Sequence, residues 1–158
     1  MSIPLYGQNK DGDALNNVSL SRGYTKITAG LTLDGSEGGI IHIADTDACA
    51  IVLPEITAAL DGLEYKFIMA NDAGASITIT ATDQAGDFYQ GTLAVHSVDA
   101  DDGFAANGSS NNIITMNTTT TGGLLGSEIN LRAMWKVGWI VWGNVFGTDA
   151  TGATPFTG

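Results

Sequence analysis

The chain is poor in cysteine, proline and basic side chains, and each scarcity excludes something. Cys49 is the single cysteine in 158 residues, so no intrachain disulfide can form. It lies in the apolar run Ala48-Cys49-Ala50-Ile51-Val52-Leu53, where a thiol reads as a small buried hydrophobe. Only 6 Lys and Arg stand against 17 Asp and Glu, a net charge of −11. Such a surface repels phosphate backbones and anionic lipid, so neither nucleic acid nor membrane is expected as a partner. No stretch approaches about 18 consecutive apolar residues, so no transmembrane helix is expected. The start, MSIPLYGQNKDGDALNN, lacks a basic segment followed by an apolar run, so no signal peptide is expected. A protein made in a cytoplasm and staying soluble fits these features. Prolines are limited to Pro4, Pro54 and Pro155, and no sustained helical period appears anywhere.

What the chain does have is glycine, 21 residues of it, spaced between short alternating segments. Hydrophobic residues make up 44%, enough to bury a core and to argue against wholesale disorder. Strand patterns run over residues 24–29, 31–33, 40–44, 49–53, 63–70, 76–82, 88–98, 113–116 and from 129 into a tryptophan-rich segment. In 63–70, Leu63, Tyr65, Phe67 and Met69 share one side and Glu64, Lys66 and Ile68 the other. Residues 55–61 suit one helical turn, and 99–110 (DADDGFAANGSS) reads as a polar loop. About nine short strands with turn signals between them predict a single all-β domain, an antiparallel sandwich or barrel. It spans 23–147, preceded by an extended arm over 1–22 and followed by a polar tail over 148–158.

Motifs that carry chemistry are scarce. His42 and His96 lie inside strand patterns with no nucleophile signature nearby, and read as structural or surface residues. Asp45 and Asp47 share one turn, and Asp99, Asp101 and Asp102 another. Counted from Asp99, the sixth position of a calcium loop is Phe104 rather than glycine and the twelfth is Ser110 rather than glutamate, so the motif fails. A looser calcium site, or a glycosidase carboxylate pair assembled from distant segments, stays open, but a solvated acidic turn is the simpler reading. One cysteine and two separated histidines give no zinc spacing. Gly35-Ser-Glu-Gly-Gly39 and Thr121-Gly-Gly-Leu-Leu-Gly126 open no helix and carry no phosphate-binding lysine; they read as turns. No catalytic residue, metal or cofactor is expected.

The tryptophan-rich segment, MWKVGWIVWGNVFG at 134–147, is the remaining candidate. Read as one strand, it places Trp135, Val137, Trp139, Val141 and Val145 on one face and Lys136, Ile140, Trp142 and Phe146 on the other. A half-buried strand is polar on one side; this one is apolar on both. Trp135 and Trp139, sharing a face with valines, suit an inner layer. The second face, with Ile140, Trp142 and Phe146, suggests contact with another layer or another subunit. The competing reading is a carbohydrate-binding module, which requires Trp135, Trp139 or Trp142 exposed in a groove.

PLYGQNK near the N-terminus, the segment IVLPEITAALDGLEYKFIMANDAGASITITA, the TTTTGG run and GSEINLRAMWKVGWIVWG occur here in that order. In this the chain resembles the head decoration (cement) proteins and related virion structural proteins of tailed bacteriophages. The resemblance implies a β-sandwich-like subunit, often a homotrimer, bound to the major capsid protein on the outer surface of the virion head and stabilising the shell. It implies no enzyme activity and no cofactor. The composition of the arm suggests how it meets the shell: Pro4, Leu5 and Tyr6 as apolar anchors, Lys10 and Arg22 facing acidic capsid surface. A tail-fibre or receptor-binding module is the alternative within the virion, though neither fibrous repeats nor a coiled-coil stem is visible.

Overall fold

A computed structural model describes residues 24–27, 29–37, 39–43, 48–73, 75–82 and 88–158. The arm candidates Pro4, Leu5, Tyr6, Lys10 and Arg22 lie outside the described residues, as do Asp45 and Asp47.

Among the described residues twelve strands follow one another: β1 (Tyr24–Ile27), β2 (Leu31–Thr32), β3 (Gly39–Ile43), β4 (Cys49–Val52), β5 (Glu64–Met69), β6 (Ile77–Thr80), β7 (Tyr89–His96), β8 (Asp101–Asn107), β9 (Ile113–Met116), β10 (Glu128–Met134), β11 (Gly138–Phe146) and β12 (Phe156–Thr157). A single 3-10 turn, Ala58–Leu60, separates β4 from β5. The strands form a seven-stranded sheet in the order β1-β3-β5-β10-β11-β7-β8 and a five-stranded sheet in the order β12-β9-β6-β4-β2. The two sheets share one apolar core, so the all-β sandwich is present, as an open pair of sheets and not as a barrel.

The expectation of a purely antiparallel sandwich is corrected. β1, β3 and β5 run parallel in the first sheet, and β2, β4 and β6 run parallel in the second. The chain therefore crosses from one sheet to the other at each of its first connections and coils three times before β7. Period-two alternation carries no information on strand direction, since side chains alternate identically in both kinds of ladder. From β7 on, the pairings are antiparallel, except that β7 and β11 run parallel inside the large sheet, one strand in from the β8 edge.

Two further segments differ from expectation. Residues 101–107, read as loop, form the edge strand β8; its Phe104 and Ala106 pack against the core while Asp101 and Asn107 face water. Small and acidic residues hide the strand period but suit an edge that must not pair further. The polar segment 148–158 is integral to the sandwich. Phe156 is buried beside Tyr89, ring centroids 6.3 Å apart, and β12 pairs with β9.

Alternation fills the core. β5 contributes Tyr65, Phe67 and Met69; β10 contributes Ile129, Leu131 and Ala133; β11 contributes Trp139, Val141 and Val145. Ile51 from β4, Ile77 and Ile79 from β6 and Ile114 and Met116 from β9 meet them from the second sheet. Cys49 is buried there, its Sγ 3.2 Å from the Ala29 carbonyl oxygen. Gly91 of β7 has φ +123°, and a Cβ there would overlap the Val141 carbonyl oxygen, so only glycine lets β7 approach β11 this closely.

Two buried tyrosines are satisfied differently. Tyr89 Oη donates to the Ile79 carbonyl at 3.0 Å and ties the sheets together. Tyr65 Oη, buried against Trp139 at 5.8 Å between ring centroids, has no partner. The N–H of Gly35 beside it is committed to Glu37 Oε2 at 3.2 Å. Burial, reinforced by the Glu37 and Asp34 charges, pushes the Tyr65 hydroxyl upward, so it stays neutral.

Denaturant unfolding should separate these residues. Tyr89→Phe should cost about 1–2 kcal/mol, because a buried bond is lost, while Tyr65→Phe should be neutral or stabilising. Gly91→Ala should cost about 2–4 kcal/mol through strain at the β7–β11 pairing.

Candidate functional site

The outer face of the seven-stranded sheet carries the exposed side chains in rows set by strand register. One row reads Lys66 (β5), Asn130 (β10), Trp142 (β11), Thr92 (β7), Ala105 (β8). The next, toward the β10–β11 turn, reads Glu64, Arg132, Ile140, Gln90, Asn107. Inward packing of Trp139, Val141 and Val145 forces Ile140, Trp142 and Phe146 onto this face. Trp142 is 43% exposed and Phe146 is exposed, while Ile140 is half-buried. Of the expected core or interface residues, only Trp139 lies in the core.

Trp135 is neither in the core nor on a strand. The segment is broken by a turn at Trp135, Lys136 and Val137, with Val137 N donating to Met134 O at 2.9 Å and Lys136 at φ +65°. β10 and β11 form a hairpin around it, so Trp135 and Trp139 never share a face. The usual Asn-Gly signal is absent here, which is why the break is invisible in the sequence. The turn exposes Met134 (40%), Trp135 (42%) and Val137 (39%) together. It is held from outside: Asp61 Oδ1 accepts from Trp135 N at 2.9 Å, and Gln90 Nε2 donates to Val137 O.

Beside Trp142 the sheet is indented by a cleft of about 230 Å3, lined by Gly39, Glu64, Tyr65, Lys66, Asn130, Leu131 and Trp142. Its polar groups hold each other in place. Lys66 Nζ lies 2.7 Å from Glu128 Oε2, and Asn130 Nδ2 donates to Glu128 Oε1 at 2.9 Å. Arg132 Nε donates to Glu64 Oε1 at 2.7 Å. The Lys66 hydrogen bond, aided by that of Asn130, holds the Glu128 carboxyl below its usual range against the opposing effect of burial. Exposed pairs of this kind add little stability but fix side-chain positions.

At the far end of the face His96 stacks on Phe146, ring centroids 5.3 Å apart. Its Nδ1 lies 2.8 Å from Asp101 Oδ1 and its Nε2 lies 3.0 Å from Asn144 Oδ1. Both ring nitrogens are therefore occupied and neither addresses a nucleophile. The acidic turn does not converge either. Asp101 faces His96, whereas Asp102, its neighbour on β8, presents Oδ2 to Gly152 N at 3.3 Å. Among the described residues no three His, Cys, Asp or Glu side chains gather as a metal site, and no helix is long and apolar enough to cross a membrane. The Thr-Gly-Gly segment is a structural turn. Asn117 Oδ1 accepts from the N–H groups of Thr119, Thr120 and Thr121, and Gly122 lies where any Cβ would strike Val145.

Sequence reasoning placed Glu64, Lys66 and Ile68 on one side of their strand but did not single them out, and it missed Asn130 and Arg132. Their signal is pairing register, which joins β5 to β10 across sixty-odd residues of chain. No family model matches the chain, and neither a curated protein nor a solved structure is significantly similar to it.

His96 supplies a test of this geometry. Hydrogen bonding to Asn144 first, and to Asp101 second, raises its pKa above the ordinary 6.5. Its contribution to stability is complete below pH 6.5 and is lost as pH rises through the folded-state value. An NMR titration should place His96 above 6.5, and Asn144→Ala should lower it. A midpoint at or below 6.5 in the intact protein would show that the two contacts do not favour the imidazolium.

Proposed function

We propose that this chain is a non-enzymatic decoration protein of a tailed-phage head. It binds the outer surface of the shell as a homotrimer and stabilises it by bridging neighbouring major capsid subunits. The ordered motifs support the reading. IVLP ends β4, GLEYKF runs into β5, SITIT contains β6 and GSEINLRAMW contains β10, so the resemblance covers the middle strands of both sheets. The observation that carries it is the hairpin tip. Three large apolar side chains, Met134, Trp135 and Val137, stand exposed within four positions on a turn braced by Asp61 and Gln90. Tryptophan on a rigid projection is a common energetic centre of protein interfaces.

A protein that binds the assembled lattice and not free subunits shifts the equilibrium toward the lattice by mass action. Linking three tips in a trimer makes the second and third contacts intramolecular, which multiplies the effect. Acidic surface elsewhere on the chain limits association in solution.

Expanded heads lacking the protein should take it up at regular lattice positions when imaged by cryo-electron microscopy. Trp135→Ala should weaken uptake by about 2 kcal/mol per contact, roughly 30-fold, without unfolding the chain. Bare lattices, or density confined to the tail vertex, would remove the shell reading and favour the tail-fibre one.

A further inference from the structure

We infer that the cleft beside Trp142 is a binding site for an uncharged pyranose unit of a glycan. The inference stands apart from the shell reading, since it concerns the middle of the sheet and not the hairpin tip.

Three features point to this ligand class. The first is the pairing of an aromatic wall with fixed polar groups. Trp142 lines the cleft with 43% of its surface exposed, a large cost in apolar exposure for a side chain at the middle of a sheet. Glu64, Lys66 and Asn130 line the same cleft and offer donors and acceptors within one depression. A pyranose presents the matching combination, an apolar C–H face and a rim of hydroxyls that both donate and accept.

The second feature is charge. The chain carries −11 overall, yet this patch is balanced: Lys66 is paired with Glu128 and Arg132 with Glu64. Two of the chain's 6 basic residues are placed here, each neutralising a carboxylate. A locally neutral, hydrogen-bonding cleft on a strongly acidic protein disfavours anions and has no unpaired carboxylate among these groups to hold a cation. An uncharged polyol is what remains. Because ion pairs hold Lys66 and Glu64 and a hydrogen bond to Glu128 holds Asn130, less side-chain entropy is lost when the ligand arrives.

The third feature is size and continuity. A volume of about 230 Å3 lies below the range of roughly 300–1,000 Å3 that houses drug-sized ligands, and it suits a single ring. On the other side of Trp142 the row continues with the small residues Thr92 and Ala105. No large side chain of that row walls off the indole there, so a second sugar residue can continue across the sheet.

The test uses the full chain and its three tryptophans, whose indole N–H resonances report separately. The protein is titrated with neutral trisaccharides of glucose, N-acetylglucosamine, mannose, galactose and xylose, and with trigalacturonate as the anionic counterpart. Saturable binding of at least one neutral trisaccharide is expected, moving the Trp142 indole and leaving Trp139 unmoved. Trp142→Ala should weaken it at least about tenfold, Asn130→Ala should weaken it too, and Trp135→Ala should leave it unchanged. Binding of none of the neutral sugars, binding of trigalacturonate alone, or equal binding by Trp142→Ala would each overturn the inference. Since the readout is on the free protein, failure here leaves head occupancy unaffected, and failure of occupancy leaves this result standing.

Discussion

The register of β11 is the constraint on which the rest of the molecule depends. Trp139, Val141 and Val145 fill the core between the sheets, and the parity of a strand then sends Ile140, Trp142 and Phe146 outward. A slip of one residue would put Trp142 inside and Trp139 outside, and would exchange the apolar seam for an asparagine at 144. The slip is blocked on both flanks. Leu131 and Ile129 of β10 fix one side through antiparallel pairing. Gly91 fixes the other, because only its position on β7 tolerates contact with the Val141 carbonyl. The outward surface at Trp142 is thus a consequence of core packing that occurs elsewhere on the same strand.

Electrostatics on the outer face act mainly through position. The Lys66–Glu128 and Arg132–Glu64 pairs are substantially exposed, and pairs of this kind seldom contribute as much as 1 kcal/mol. Their effect is to hold four long side chains in fixed orientation around an indole and to cancel charge locally. Among the other described residues carboxylates far outnumber Lys and Arg. The result is a neutral island on an acidic surface, with a different ligand preference from the rest of the molecule.

Much of this fold is legible in residue order, and the illegible parts have definite physical causes. Alternation in Tyr65-Lys66-Phe67-Ile68-Met69 identifies an amphipathic strand, and the inward and outward sets are as read. The same alternation is blind to direction, so the parallel coil of β1 to β6 cannot be read from it. β8 escapes notice because Ala105 and Gly103 stand where a strand usually shows branched residues. The hairpin between β10 and β11 escapes because a lysine at φ +65° makes the reversal where Asn-Gly would announce it. The cleft depends on long-range pairing: Asn130 stands opposite Lys66 only once β5 and β10 have met. Trp142 was visible as a candidate, but its setting was not.

β11 carries the cleft and begins where the tip ends, and this has a mechanical consequence. Gly138, at the base of the tip, and Trp142, at the cleft, are four residues apart, about 13 Å along an extended chain. β11 lies between β10 and β7, with neighbours on both edges, so it cannot bend to bring the two together or move them apart. If the tip is seated in a protein partner, the cleft is therefore held at a fixed distance and orientation from that contact. Gln90 strengthens the link, since it braces the tip through Val137 O while standing on β7 two residues before Thr92, the neighbour of Trp142. A small ligand in the cleft and a large partner at the tip are compatible in space. Without an intervening flexible element, however, the sheet offers no hinge through which one would alter the affinity of the other.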